Sequence, residues 1–423
     1  MNDMISDMLK FIDNSPTAFH TVENVRDILI GAGFSELYEG ERWKTEKGGK
    51  YFVVRNSSSL IAFEKGEDGA PFMICATHSD FPLFKVKEEL SGVYTRLSTE
   101  RYGGLIMYSW FDRPLSVAGR AVIKDGDALY ERLVNIDRDL LVIPSVAIHL
   151  QKNINDGFSP KANVDTLPLF TLGKKTLKEI IADELSVSEM DIVSHDLFVY
   201  PRERGALIGA ENELILSPRI DNLECVYTSL LAFLDSGRGL NTKVFALFDN
   251  EEVGSESKQG AASPFLSDTL ERISKDRESY FASLAGGFMV SADNAHAKHP
   301  AHPELSDPIE APVLAGGIVI KHNANQRYST EAVSGAIFAS VCERAGVRVQ
   351  HYSNRADLIG GSTLGSISNT KAPICTVDIG LPQLAMHSAV ETAAVSDAYE
   401  MKKALTLFYS SSIEKSNGKI IVK

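Results

Sequence analysis

Apolar residues recur along this chain in two rhythms. At the start, Met4 to Ile12 and then Val22, Val25, Ile28 and Leu29 fall at helical spacing. Asn14-Ser15-Pro16-Thr17 separates the two, and Gly31-Ala32-Gly33 stops the second. Short unbroken apolar runs follow, at Tyr51–Val54, Leu60–Phe63, from Phe72, Val244–Phe248, from Phe288, from Ile318, Val349–Tyr352 and Ile374–Ile379. Runs of this length predict buried strands. Helical stretches alternate with the later ones, at Leu223–Leu234, from Thr330 to Glu343 and after Ser388, where Glu391 and Glu400 are placed on the final helix. Strands alternating with helices predict an α/β domain. From Lys87 to Leu216 the texture changes. β-like runs appear at Gly92–Leu97, Leu105–Trp110, Leu115–Ile123, Asp127–Leu133, Leu140–Ile143 and Asp196–Tyr200, with one helical insert, Leu177–Leu185. Turn signals such as Asp125-Gly126-Asp127 divide them. The expected organisation is an α/β domain over 1–87 and 217–423, interrupted by a β-rich domain over 88–216.

Length agrees with two domains, since 423 residues exceed one ordinary core. A formal charge of −13 disfavours a nucleic-acid partner, which needs a basic face. Acids at Asp3 and Asp7 stand where a signal peptide carries Lys or Arg, and no apolar run is long enough to span a bilayer. The four cysteines are scattered without metal-finger spacing. The cytoplasm is the expected location.

The strand ends carry the chemistry. Val244–Phe248 runs into Asp249-Asn250-Glu251-Glu252-Val253-Gly254-Ser255, and the Phe72 run into His78-Ser79-Asp80. The Phe288 run ends in Asp293-Asn294-Ala295-His296, and the Ile318 run in Lys321-His322. Asp221 opens a helix, where capping is the cheap reading, and His387 precedes the last one. Beyond the carboxyl ends of strands an α/β sheet collects its ligands. Adjacent carboxylates repel unless a cation joins them. Zinc takes imidazole and carboxylate, and two sites sharing one carboxylate need five ligands. His78, Asp221, Glu252, Asp293 and His387 supply five and leave Glu251 free as a general base. Asp80 can hold the His78 imidazole. Taken singly, a Glu pair reads as a solvated turn, His20 as a helix-face or surface histidine, and His149 as a core or interface histidine. Gly360–Gly365 lacks a Walker lysine and the dinucleotide spacing, so a tight loop lining a pocket is expected there.

The chain resembles the aspartyl aminopeptidase family of co-catalytic zinc metallopeptidases. The resemblance is carried nearly end to end, by Asn14–His20, Ser109-Trp110-Phe111-Asp112-Arg113, Val146–Leu150, Ser217–Asn222, Asp249–Ser255, Ala292–His296, Asn325–Tyr328 and Leu381–Ser388. It implies a catalytic domain with a central mixed sheet flanked by helices and an inserted β-rich dimerisation domain. It implies two divalent ions, zinc foremost, one on His78, Asp221 and Glu252 and the other on Asp221, Asp293 and His387. Glu251 matches the general base and Asp80 the acid orienting His78. His149 matches a histidine reaching a neighbouring subunit's active site. Lys321 matches a cation for an acidic first side chain, with His296 and Tyr328 beside it. The implied assembly is a dodecamer built from dimers, and the implied substrates are peptides. Phe81 departs from the family pattern and is expected to reshape the pocket. Two other readings stand beside this one: an assembly or cargo protein with a residual metal site, and a carboxypeptidase or amidohydrolase on the same scaffold.

Overall fold

A computed structural model describes residues 2–237 and 239–423, with side chains at all of these except 2, 3, 415 and 416. Its centre is a nine-stranded mixed sheet. In spatial order the strands are Ser35–Leu37, Lys50–Arg55, Ser59–Glu64, Thr242–Phe248, Phe72–His78, Phe288–Ala292, Cys375–Gly380, Ile318–His322 and Val349–Ser353. The middle four, from Thr242–Phe248 to Cys375–Gly380, are mutually parallel. Thr242–Phe248 and Phe72–His78 are buried at every position, which is why they read as unbroken apolar runs. Their period of two assigns each side chain to a face. Met73, Cys75, Phe245 and Leu247 meet the helices Ile220–Asp235 and Val395–Ser410, through Val226, Leu230, Met401 and Leu405. Ile74, Ala76, Val244 and Ala246 meet Phe265, Leu266 and Leu270 of the helix Phe265–Ile273. Each such side chain, fully buried, contributes about 1.5–3 kcal/mol, which holds the strand ends in fixed register.

A second sheet has six antiparallel strands, in the order Ala128–Asn135, Leu115–Asp125, Ile192–Pro201, Leu83–Leu90, Thr95–Tyr102 and Leu169–Thr171. One of its strands starts at Leu83, and Leu83, Phe84 and Val86 are buried in the core cluster that the two sheets share. The helix Leu177–Leu185 packs on it, closed by a capping box between Thr176 and Glu179.

Three local expectations are corrected. Leu105–Trp110 is no strand. Met107–Trp110 forms a 3-10 turn that places the Trp110 ring edge-on to Phe84, with centroids 5.0 Å apart. Ala206–Ile208 and Leu214–Ser217 leave the six-stranded sheet for a three-stranded one with Glu391–Ala394. Glu391 therefore lies on a strand opposite Ser217, and the last helix begins only at Val395, pairing across the fold overriding local helical preference. Among the described residues, no helix is long and apolar enough to cross a membrane.

Candidate metal centre

The four parallel strands end along one edge, and three of them deliver candidate ligands just there. His78 is the last residue of its strand and stands opposite Phe248 of the next. After Phe248 the chain reverses through Asn250 (φ 63°) and a 3-10 turn, Glu251–Val253, that lifts two carboxylates over the sheet edge. Asp293 follows Ala292 directly, its N–H held by the Ile379 carbonyl at 3.0 Å. His387 (φ 66°) closes the loop that leaves Cys375–Gly380. Asn and His tolerate left-handed backbone better than most side chains, and at Asn250 and His387 it turns the chain at the site. Asp221 lies at a bend where helical geometry fails (φ −78°, ψ 107°), and its carboxylate faces the two imidazoles and does not cap the helix.

The five expected ligands converge. His78 Nε2 lies 3.5 Å from Asp221 Oδ1 and 3.4 Å from Asp293 Oδ1. His387 Nε2 lies 3.5 Å from Asp221 Oδ2 and 3.3 Å from Glu252 Oε1. Asp221 thus straddles two clusters, His78–Asp221–Asp293 and Asp221–Glu252–His387. The clusters differ from the pairing implied by the resemblance in one respect: Asp293 stands with His78 and Glu252 with His387. Asp293 leaves the strand next to that of His78, whereas the turn after Phe248 carries Glu252 over to His387. Glu251 completes a third group with His78 and Glu252.

Both imidazoles are held so that Nε2 faces the carboxylates. His78 Nδ1 is 3.0 Å from the Asp80 carbonyl, and His387 Nδ1 is 3.0 Å from the Gly104 carbonyl. A carbonyl only accepts, so Nδ1 carries the hydrogen and Nε2 is left as a ligand atom. For His78 it is the Asp80 main chain that orients the ring. The Asp80 carboxylate, 3.5 Å away, instead accepts the N–H groups of Glu251 and Glu252 at 3.1 and 3.2 Å.

The electrostatics call for positive charge. Burial, reinforced by Asp221, pushes Glu252 up to about 7 although His387 pulls it down. Burial, with Asp293 and Glu252 beside it, holds the Glu251 carboxyl well above the usual range. At His387 burial is outweighed by Asp221 and Glu252, which push the imidazole up to about 12. Asp221 Oδ1 is buried without a hydrogen bond. Two imidazoles, three carboxylates and an orphaned carboxylate oxygen suit a borderline divalent cation such as zinc, so the residues fit the expected group.

A cavity of about 120 Å³ opens beside the cluster, lined by His296, Lys321, Tyr328, Tyr352 and the Gly361–Thr363 loop. Three of the four expected pocket residues line it, and the glycine-rich turn does too. Lys321 Nζ donates to the Asn294 carbonyl at 2.7 Å, lies 3.5 Å from Asp293 Oδ2 and sits 5.5 Å over the Tyr328 ring. Buried Asp378 moors both pocket loops, accepting from Ser329 N–H, Ser329 Oγ and Thr363 Oγ1 at 2.5 Å each. A Cβ at Gly365 would lie 2.7 Å from that carboxylate, so glycine is required there.

The structure does not bring the other expected residues here. His149 stands in an exposed turn outside the pocket, with Val146, Ile148 and Leu150 exposed by 48, 48 and 83 % around it. Phe81 is buried behind Asp80 and does not line the cavity beside Lys321. His20 is buried, bonded to Thr17 Oγ1 at 2.8 Å, and burial pushes it down to about 4. Two residues were not read from the sequence as part of the site. Glu391 accepts the N–H groups of both Asp221 and His387, at 3.0 and 2.7 Å. Tyr102 donates to Asp80 Oδ2 at 2.7 Å.

Comparison with known proteins identifies the family. The family described as aminopeptidase I zinc metalloprotease (M18) matches residues 11–409. A probable M18 family aminopeptidase 2 of Clostridium acetobutylicum is 43 % identical, over 95 % of this chain and 98 % of its own. The aspartyl aminopeptidase of Dictyostelium discoideum is 37 % identical, over 92 % of this chain and 93 % of its own. A chain in the cryo-EM structure of the Ape4 and Nbr1 complex superposes with a TM-score of 0.94 at 34 % identity, covering 97 % of this chain and 86 % of that one. With a family match spanning nearly the whole chain and an imidazole–carboxylate cluster at the strand ends, the chain belongs to the M18 family of zinc metallopeptidases and is an aminopeptidase.

Proposed function

We propose that this aminopeptidase removes N-terminal Asp or Glu from peptides, and that two divalent ions, zinc foremost, serve the reaction. One would be held by His78, Asp221 and Asp293, the other by Asp221, Glu252 and His387. When bound, such ions supply Lewis acidity, which polarises a carbonyl and acidifies water. The observation that carries the reading is Asp221, whose two oxygens face two separate imidazoles. Glu251 is the carboxylate in excess. Beside His78 and Glu252, it takes the proton of the attacking water and returns it to the leaving amine. The neighbouring acids receive the substrate's free ammonium. Lys321 meets the first side chain: its ammonium, held by the Asn294 carbonyl and 3.5 Å from Asp293, lines the cavity in which a P1 carboxylate would sit.

The six-stranded sheet with its loops is, in this reading, an inserted assembly unit. Val146, Ile148 and Leu150, beside His149, leave an apolar loop in water, which a second copy of the chain would cover. His149 would then enter a neighbour's pocket, in a homo-oligomer for which we propose the dodecamer of the resemblance. A panel of aminoacyl reporter amides tests the substrate. Asp and Glu reporters should be the best, and N-acetylation should abolish cleavage. Equal turnover of Leu and Asp reporters would remove the acidic preference, and cleavage of acetylated peptides would favour a carboxypeptidase or amidohydrolase.

A further inference from the structure

We propose that Tyr102 is a positioning residue for the turn that carries Glu251, and that Tyr102–Ile106, where the chain leaves the six-stranded sheet, forms the back of the metal centre. The Tyr102 hydroxyl donates to Asp80 Oδ2 at 2.7 Å and accepts from Asn250 Nδ2 at 2.8 Å. Asp80 in turn takes the N–H groups of Glu251 and Glu252. One phenol is therefore tied twice to the same short turn, through Asp80 and through Asn250. Burial and the Asp80 and Asp249 carboxylates raise the Tyr102 pKa, so the hydroxyl remains a donor throughout the working range of pH.

The following residues close the other side. Gly103 (φ 77°) passes so near the cluster that a Cβ would lie 3.1 Å from that of Glu252 and 3.3 Å from Pro82. The Gly104 carbonyl accepts from His387 Nδ1, and Ile106 N–H donates to the His387 carbonyl at 3.0 Å. Ser109 Oγ then accepts from Ala389 N–H at 2.9 Å. Ring and main chain of one ligand, and the turn bearing the base, are thus held by a segment that contributes no ligand itself. A displacement of the six-stranded sheet would be felt at Glu251 and His387 together.

This inference rests on Glu251 being the base, so Glu251→Gln is measured beside Tyr102→Phe in the zinc-loaded, full-length protein. Phenylalanine keeps the ring packed on Phe198, whose centroid is 5.7 Å away, and the side chain borders a cavity of about 190 Å³, so removing the oxygen does not unpack the fold. Loss of a partner in the layer behind the ligands costs about 10–100-fold in activity or metal affinity. We expect Tyr102→Phe to lower kcat on the best reporter about 10–100-fold, with KM and zinc content unchanged and the acid limb of the kcat–pH profile displaced. Asn250→Gly, which suits the φ of 63°, removes the second tie and should act in the same direction if Tyr102→Phe does not fold. Wild-type kcat and pH profile in whichever variant folds, or a change in thermal midpoint alone, would overturn the inference. Turnover retained by Glu251→Gln would instead overturn the assignment of the base.

Discussion

The two sheets of this molecule treat their side chains in opposite ways. The middle strands of the nine-stranded sheet are buried on both faces, and their candidate ligands stand at the carboxyl edge. The six-stranded sheet buries one core but leaves Leu129, Tyr130, Leu150 and Leu172 largely in water. The candidate ligands of the first all come from one chain and cluster at one edge. The exposed apolar side chains of the second belong to a surface that is finished only when something covers it. Tyr102 lies where the two meet.

The sharpest way to test this division is at the edge of the first sheet. Glu251→Gln keeps size and hydrogen bonding but cannot take a proton, so kcat should fall about 10²–10⁴-fold with zinc content, read by atomic emission, unchanged. Asp221→Ala removes the shared carboxylate, and zinc content should fall for both ions at once, whereas His387→Ala should reduce it by one. Lys321→Met should raise KM for Asp and Glu reporters about 10–100-fold and leave Leu reporters nearly unaffected, since a charge-assisted contact is lost only with acidic substrates. On the second sheet, Leu150→Asp should shift sedimentation towards smaller species. A loss of activity in parallel would link His149 to a neighbour's pocket, and an unchanged oligomer would remove this loop from the interface.

The smallest effect concerns stability. Burial pushes Glu224 up to about 8 even though Asn294 Nδ2 donates to it at 3.0 Å. The folded chain therefore keeps this proton while the unfolded chain, near 4.5, releases it. Unfolding releases the proton between these values, so this group's contribution falls as pH rises from about 4.5 to 8, by at most about 1.4 kcal/mol per pH unit. Glu224→Gln should flatten that slope, measured as thermal midpoint against pH in chelator-treated protein.

What could be read in advance follows the same division. Apolar runs ending in acid or imidazole singled out His78, Glu251, Glu252 and Asp293 as candidates, because a fully buried strand has no solvent-facing positions to blur its pattern, and the resemblance then gave each a role. The grouping of Asp293 with His78 and of Glu252 with His387 was hidden, since it depends on which strands are neighbours and on the lift of one short turn. Glu391 was hidden by helix-like surroundings that Leu214–Ser217 draws into a strand. Tyr102 ends an ordinary-looking strand, and only the close approach of Gly103 to Glu252 reveals why two glycines follow it.

Because Asp221, the Glu251–Glu252 turn, Asp293 and His387 sit on segments far apart in the chain, synthesis order matters. On the ribosome, a nascent chain holding everything up to Asp293 still lacks the imidazole that Glu252 faces, and also Glu391, which fastens Asp221. The cluster of candidate ligands is therefore completed last, after both sheets have their strands.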